Sequence, residues 1–130
     1  MKKLILVLLI VASIVACKKK GFDPEGPTDV RVKNVSDLPF AMVIVNTSGG
    51  IDTLGNIPAG GTSEYFRFEK AFPKAEIKAT VNGQLFSTGT VDYYALTYIG
   101  QAKITYTVYI KSIPNKTLEI SDVSLDAPLD

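Results

Sequence analysis

Histidine and tryptophan are absent from the 130 residues, and cysteine occurs once, at Cys17. Without histidine the chain lacks the commonest general base, the Ser-His and Cys-His nucleophile pairs, and the commonest metal ligand. A zinc site made of carboxylates alone would be unusual, so neither a metal nor a cofactor is expected. One cysteine forms no internal disulfide, and the Cys and Trp marks of an immunoglobulin domain are missing. No Ser-x-x-Lys motif offers a serine–lysine hydrolase. Charge of one sign is scarce as well. The formal net charge is +1, with no concentrated basic face, which gives no electrostatic case for nucleic acid.

Few residues are left for chemistry. Glu64, Glu69 and Asp92 could supply the two acids that glycoside hydrolysis needs. The plainer reading places Glu64 and Glu69 at strand ends facing water and Asp92 at the start of a turn. Gly60-Gly61-Thr62-Ser63 lacks the lysine of a phosphate loop and leads into a strand rather than a helix, so it is a turn. The sequence therefore reads as that of a non-enzyme.

What is present begins at the amino end. Lys2 and Lys3 precede an unbroken apolar stretch, Leu4 to Val11, and small and apolar residues then lead to Cys17, the order of a secretory signal. Leu4 to Ala16 is 13 residues. As a helix this is about 20 Å long, too short for a hydrocarbon core of about 30 Å. Ordinary signal cleavage after Ala16 would set Ile14 where a small residue is wanted. Ile14-Val15-Ala16-Cys17 instead resembles the lipobox of bacterial lipoproteins, although that family more often has Leu where this chain has Ile14. The resemblance implies cleavage between Ala16 and Cys17, a diacylglyceryl thioether on Cys17 and a further acyl chain, such as palmitate, on its new amino group. Several chains make such an anchor durable, each buried methylene contributing roughly 0.8 kcal/mol.

Cleavage would remove Lys2 and Lys3 and take the formal charge from +1 to −1. Lys18, Lys19 and Lys20 are the one charge run, and Gly21 to Pro27 is too rich in Pro, Gly and charge for regular structure. The expected organisation is thus a signal peptide at 1–16, a lipidated cysteine and flexible tether at 17–27, and one β-domain at 28–130. Lys18 after the cysteine resembles lipoproteins passed on to an outer membrane; the periplasmic or surface face is left open.

Within the domain, Ile104, Tyr106, Val108 and Ile110 alternate with polar residues, the period of two that turns one face inward. Pro114-Asn115 makes a turn, and Leu118 and Ile120 continue on the return strand of a hairpin. The apolar phase slips before Val123, which calls for a bulge near Ser121. Ala75, Ile77, Ala79 and Val81 form another alternating strand, closed by Asn82-Gly83, the strongest short hairpin signal. Val30 and Val32 suggest an edge-like strand, Phe40 to Asn46 a central buried one, and Thr62 to Glu69 a further member. About seven strands without helical periodicity predict an all-β fold. An antiparallel two-sheet sandwich, Ig-like or transthyretin-like, is the leading form and a small β-barrel the alternative.

From Asn34 to Tyr106 the chain also resembles small, uncharacterised envelope lipoproteins with one β-domain. The matching pieces are Asn34-Val35-Ser36, Pro58-Ala59-Gly60, Thr62-Ser63-Glu64-Tyr65, Ala71-Phe72 with Ala75, Asp92-Tyr93, Gly100 and Thr105-Tyr106. Those proteins often continue Asp-Tyr with Gly-Glu, where this chain has Tyr94-Ala95. The resemblance implies no activity.

Tyr93, Tyr94 and Tyr98 lie in the least regular segment, Gly89 to Gly100. They are candidates for a contact surface or, alternatively, for a cap on the open end of the domain. Asp52-Thr53-Leu54 resembles a short bacterial O-glycosylation site with sugar on Thr53. The sequence thus supports a lipid-anchored envelope protein whose domain binds or props an envelope protein or glycan. The alternatives are a glycan hydrolase and an accessory subunit docking through an edge strand at Val30 to Val35.

Overall fold

A computed structural model describes residues 26–129. The expected signal peptide, Cys17 and the tether as far as residue 25 lie outside the described residues. Among the described residues, eight strands pair into one sheet. In chain order these are β1 (Thr28–Asn34), β2 (Phe40–Asn46), β3 (Ile51–Ile57), β4 (Phe66–Phe68), β5 (Glu76–Val81), β6 (Gln84–Ser87), β7 (Ala102–Ser112) and β8 (Thr117–Pro128). No helix occurs among the described residues. The strands run β3-β2-β5-β6-β8-β7-β1-β4 across the sheet, and all neighbours are antiparallel except β1 with β7 and β6 with β8. Edge strand β3 returns to touch both β4 and β1, so the sheet rolls almost into a barrel.

The fold is all-β, as expected, but the division into two sheets is not observed. Hydrogen bonding continues through all eight strands, and the small-barrel alternative fits. A period of two says which side chains face inward, and it says so equally for a sandwich and a barrel. What decides the matter is whether β6 meets β8. They meet at a single register pair, Ser87↔Thr117.

Two further expectations need correction. The Val30 strand is not edge-like: β1 pairs β7 on one side and β4 on the other, so docking by its free edge has no free edge to use. Alternation reports a half-buried face and carries no information about lateral neighbours. The sequence also shows seven strands where there are eight. β3 was hidden because Gly55, with φ of +82°, interrupts the apolar alternation and only Leu54 and Ile57 are buried.

Other details follow the sequence closely. β7 and β8 form the expected hairpin, and the register jumps from Thr107↔Asp122 to Val108↔Ile120, which leaves Ser121 as the bulged residue. Asn82 and Gly83 take φ of +51° and +75°, closing the β5–β6 hairpin. Positive φ at both turn positions suits the right-handed twist of the flanking strands. β2 is central, between β3 and β5. Its burial is one-sided, however: Phe40, Val43 and Val45 point inward, while Met42 is exposed at a bulge with φ of +50°.

The rolled sheet encloses Val30, Val32, Phe40, Ile57, Ile77, Val81, Phe86, Ile104, Tyr106 and Val108 in one cluster. Each such side chain contributes roughly 1.5–3 kcal/mol when fully buried. At one end, buried Asn34 acts as a staple. Its amide Nδ2 donates to the carbonyls of Leu38 (2.8 Å), Pro58 (3.3 Å) and Ile57 (3.4 Å), and its Oδ1 accepts from Ser36 N–H at 2.9 Å. At the other end the barrel is closed by the loops before β5 and before β7. Ile99 N–H donates to the Ala71 carbonyl at 2.9 Å, and the Thr28 hydroxyl donates to the Gly100 carbonyl.

Candidate functional site

The loop Gly89 to Gly100 hangs from two glycines in the left-handed region, Gly89 at φ +88° and Gly100 at +87°. It brings its tyrosines against Phe72, which lies between the rings of Tyr93 and Tyr98 at centroid distances of 5.0 and 4.9 Å, tilted by 48° and 49°. The Tyr93 hydroxyl donates to the Asn46 carbonyl at 3.0 Å, and burial pushes that hydroxyl above its ordinary pKa. Lys70 Nζ sits 4.8 Å from the Tyr98 ring centroid and donates to its hydroxyl at 3.2 Å. From inside the barrel, Tyr106 donates its own hydroxyl to the Phe72 carbonyl.

Tyr93 and Tyr98 therefore cap the end of the barrel. Tyr94 stands apart from them and is 96% exposed. Its N–H is held by Asp92 Oδ1 at 3.0 Å, and Leu96 N–H donates back to the Tyr93 carbonyl at 3.1 Å, so a tight turn presents the ring. Beside this loop is a hollow of about 440 Å³ lined by Lys74, Thr88, Asp92, Lys111, Glu119 and Ile120, among others. Its opening lies at the seam where β6 leaves β8.

The three acids singled out in the sequence do not form a built pair. Glu64 and Glu69 are exposed on either side of β4, and Asp92 is engaged by the Tyr94 turn. Sequence reasoning missed Glu119, which shares the hollow with Asp92. The Tyr109 hydroxyl at 2.6 Å and Lys111 Nζ at 3.4 Å hold the Glu119 carboxyl below its usual range, so it is a carboxylate rather than a proton donor. Among the described residues no group of three His, Cys, Asp or Glu could hold a metal ion. Thr53 is exposed on edge strand β3, its N–H bonded to Asp52 Oδ1 at 2.8 Å.

A second cluster, also missed, lies on the outer face across β1, β7 and β8. Asp126 accepts hydrogen bonds from Thr105 (2.5 Å), Tyr65 (2.7 Å) and Ser124 (3.2 Å), and Arg31 Nε lies 3.8 Å away. Partial burial opposes ionisation of Asp126, but the three hydroxyls and Arg31 together hold its carboxyl below the ordinary value. Arg31 also donates to Thr105 Oγ1 at 2.8 Å and lies 4.7 Å from the Tyr65 ring centroid, with Lys103 Nζ at 5.6 Å. Burial and the bond to Asp126 raise the Tyr65 hydroxyl. Asp126 reaches this position because it is a bulge: Lys103 faces Ala127 and Ile104 faces Leu125, leaving Asp126 unpaired in the ladder. The sequence carried no signal for it, since Val123, Leu125 and Ala127 keep the period of two and the slip appears only in the pairing with β7.

The fold and these clusters define a class: an all-β domain with one nearly closed sheet, a tyrosine-capped end and satisfied polar joints. No protein-family model matches the chain, and no curated protein matches it. An NMR structure of a protein from Eubacterium rectale superposes with a TM-score of 0.53 at 14% identity, covering 78% of this chain and 95% of that one. That likeness is one of fold alone. A crystal structure described as a "putative cell adhesion protein" from Bacteroides uniformis superposes with a TM-score of 0.47 at 14% identity, covering 78% of this chain and 50% of that one. The present chain thus spans half the length of that protein.

Proposed function

We propose that this protein is a lipid-anchored component of the bacterial cell envelope, held through Cys17 at an outer membrane, whose β-domain binds or props a partner without catalysing a reaction. The observation that carries the binding role is Tyr94, a bare aromatic ring presented on a clamped turn beside a polar hollow. Solvent-facing tyrosine offers a flat apolar surface with a polar tip, and a turn held by Asp92 loses little freedom when it is covered. The anchoring role is supported by Ile14-Val15-Ala16-Cys17 at the end of the apolar run. β1 starts at the tyrosine-capped end, where Thr28 bonds Gly100, which supports an arrangement in which the tether joins the domain at the pole that carries Tyr94. Thr53, open on β3, is a place for an O-linked sugar.

The test is a photo-cross-linking residue at position 94 in intact cells, with and without Cys17→Ser. The expected result is a defined cross-link to an envelope protein or glycan, with lipid label on the parent and none on Cys17→Ser. Hydrolysis of isolated envelope glycan by the purified protein, abolished when Glu64, Glu69 and Asp92 are replaced together with the fold intact, would overturn the non-enzymatic reading. Label retained by Cys17→Ser would overturn the anchor.

A further inference from the structure

β8 is twelve residues long and lies against β7 from Thr117 to Pro128. On its other side it meets one strand residue, Ser87, opposite Thr117. β6 stops there for a visible reason. Thr88 turns back onto β5, its N–H donating to the Ile77 carbonyl at 2.9 Å and its hydroxyl accepting from Ile77 N–H at 2.9 Å. Gly89 then enters the left-handed region and leads the chain off the sheet. From Leu118 onward, β8 has no second strand beside it among the described residues.

The side chains record the missing neighbour. The inward row of β8 is Leu118, Ile120, Val123 and Leu125, facing Ile110, Val108, Tyr106 and Ile104 of β7. Leu118, beside Ser87, is 2% exposed, and Ile120 and Val123 are half-buried. Leu125 is 67% exposed although its cross-strand partner Ile104 is completely buried. Facing residues on one side of an antiparallel pair stand only about 5 Å apart. Their difference therefore arises on the far side of β8, where a strand would lie. The hollow at Thr117 to Ile120 is the upper mouth of the same slot. The bulges at Ser121 and Asp126 frame a straight run, Asp122 to Leu125, and such bulges protect an edge against indiscriminate pairing.

The geometry points to this slot as the docking place of an extended, basic segment of a partner polypeptide, added as a strand along β8 from Leu118 to Leu125. Strand addition supplies affinity through backbone hydrogen bonds and specificity through alternate side chains. Apolar side chains of the segment cover Val123 and Leu125. Basic ones answer Asp122, the β8 carboxylate without an ion-pair partner among the described residues, since Glu119 and Asp126 of the same strand are held by Lys111 and Arg31.

The inference rests on the reading of the domain as a binding module and names the chemistry of its partner. The probe is a fluorescent hexapeptide alternating valine with lysine, titrated into the full-length protein, with a valine–glutamate hexapeptide as its counterpart. The expected result is saturable binding of the lysine peptide alone, with slowed amide hydrogen exchange at Asp122 to Leu125. Leu125→Ser, at an exposed position, weakens binding about tenfold. Asp122→Lys weakens it as well. Absent or charge-independent binding, indifference to Leu125→Ser, or a β8-mediated dimer in sedimentation would overturn the inference. A cross-link at position 94 combined with an idle β8 edge would remove this inference and leave the proposed function standing.

Discussion

The hydroxyl of Tyr106, at the centre of β7, donates to the backbone carbonyl of Phe72 in the loop before β5. This bond links the inside of the barrel to the tyrosine cap, because the Phe72 ring is the one that Tyr93 and Tyr98 cover. Burial and the neighbouring Tyr93 push the Tyr106 hydroxyl far above its ordinary pKa, so it remains a donor throughout the accessible pH range. Tyr106→Phe keeps the ring and leaves the carbonyl without its partner. The expected loss is about 1–3 kcal/mol, read as a lower thermal midpoint. A change below about 0.5 kcal/mol would show that the bond does not tie the cap to the core.

The three loop tyrosines separate in a stability measurement. Tyr94→Ala is expected to leave the urea midpoint within about 0.5 kcal/mol of the parent, as for an ordinary surface position. Tyr93→Ala removes both its ring contact with Phe72 and its bond to the Asn46 carbonyl, and is expected to cost about 2 kcal/mol. Equal effects at the two positions would contradict the division between cap and contact surface.

Asparagine 34 joins three carbonyls and the Ser36 N–H at the opposite end of the barrel. Asn34→Ala leaves several of those groups without partners in a buried place. The cost is expected to be about 3 kcal/mol, among the largest of any single polar substitution here, and measurable by chemical denaturation.

Acid should loosen the outer face. The folded Asp126 carboxyl titrates below its unfolded value. Its interactions are therefore fully present above the unfolded value, near pH 4, and are lost as pH falls through the folded one. Asp126→Asn is expected to lower the urea midpoint at pH 6 and to converge with the parent under strongly acidic conditions. Glu119 is shifted in the same direction and leaves a residual slope in the variant. Parallel stability curves for the two proteins across this range would contradict the role given to Asp126.

The strands were legible wherever an apolar residue recurred at every second position, as in β5 and β7, and the Ser121 bulge was legible because that rhythm slipped. β3 was not, since Gly55 and Asn56 break the pattern. The lateral place of β1 was also hidden, because pairing to β7 and β4 joins residues distant in sequence. The pieces behind the family resemblance prove to be joints of the fold: Asn34 staples one end, Gly100 receives the Thr28 hydroxyl, and Tyr106 holds Phe72. Such joints constrain shape and carry little information about a ligand. Tyr94 was visible as one of three loop tyrosines, but its separation from the capping pair Tyr93 and Tyr98 was not. The Asp126 cluster and the β8 slot were not, since both depend on which strands stand side by side.

Parallel pairing of β1 with β7 has a mechanical consequence. Six register pairs, Asp29↔Lys103 to Asn34↔Val108, join the two strands, and β4 grips the start of β1 from the other side. A pull entering the chain at Thr28 and resisted at the far pole runs along these strands. It strains the rungs together, in shear, instead of opening them singly like a zip. A domain loaded in that direction would hold its shape under tension that would peel apart a hairpin pulled from its open end.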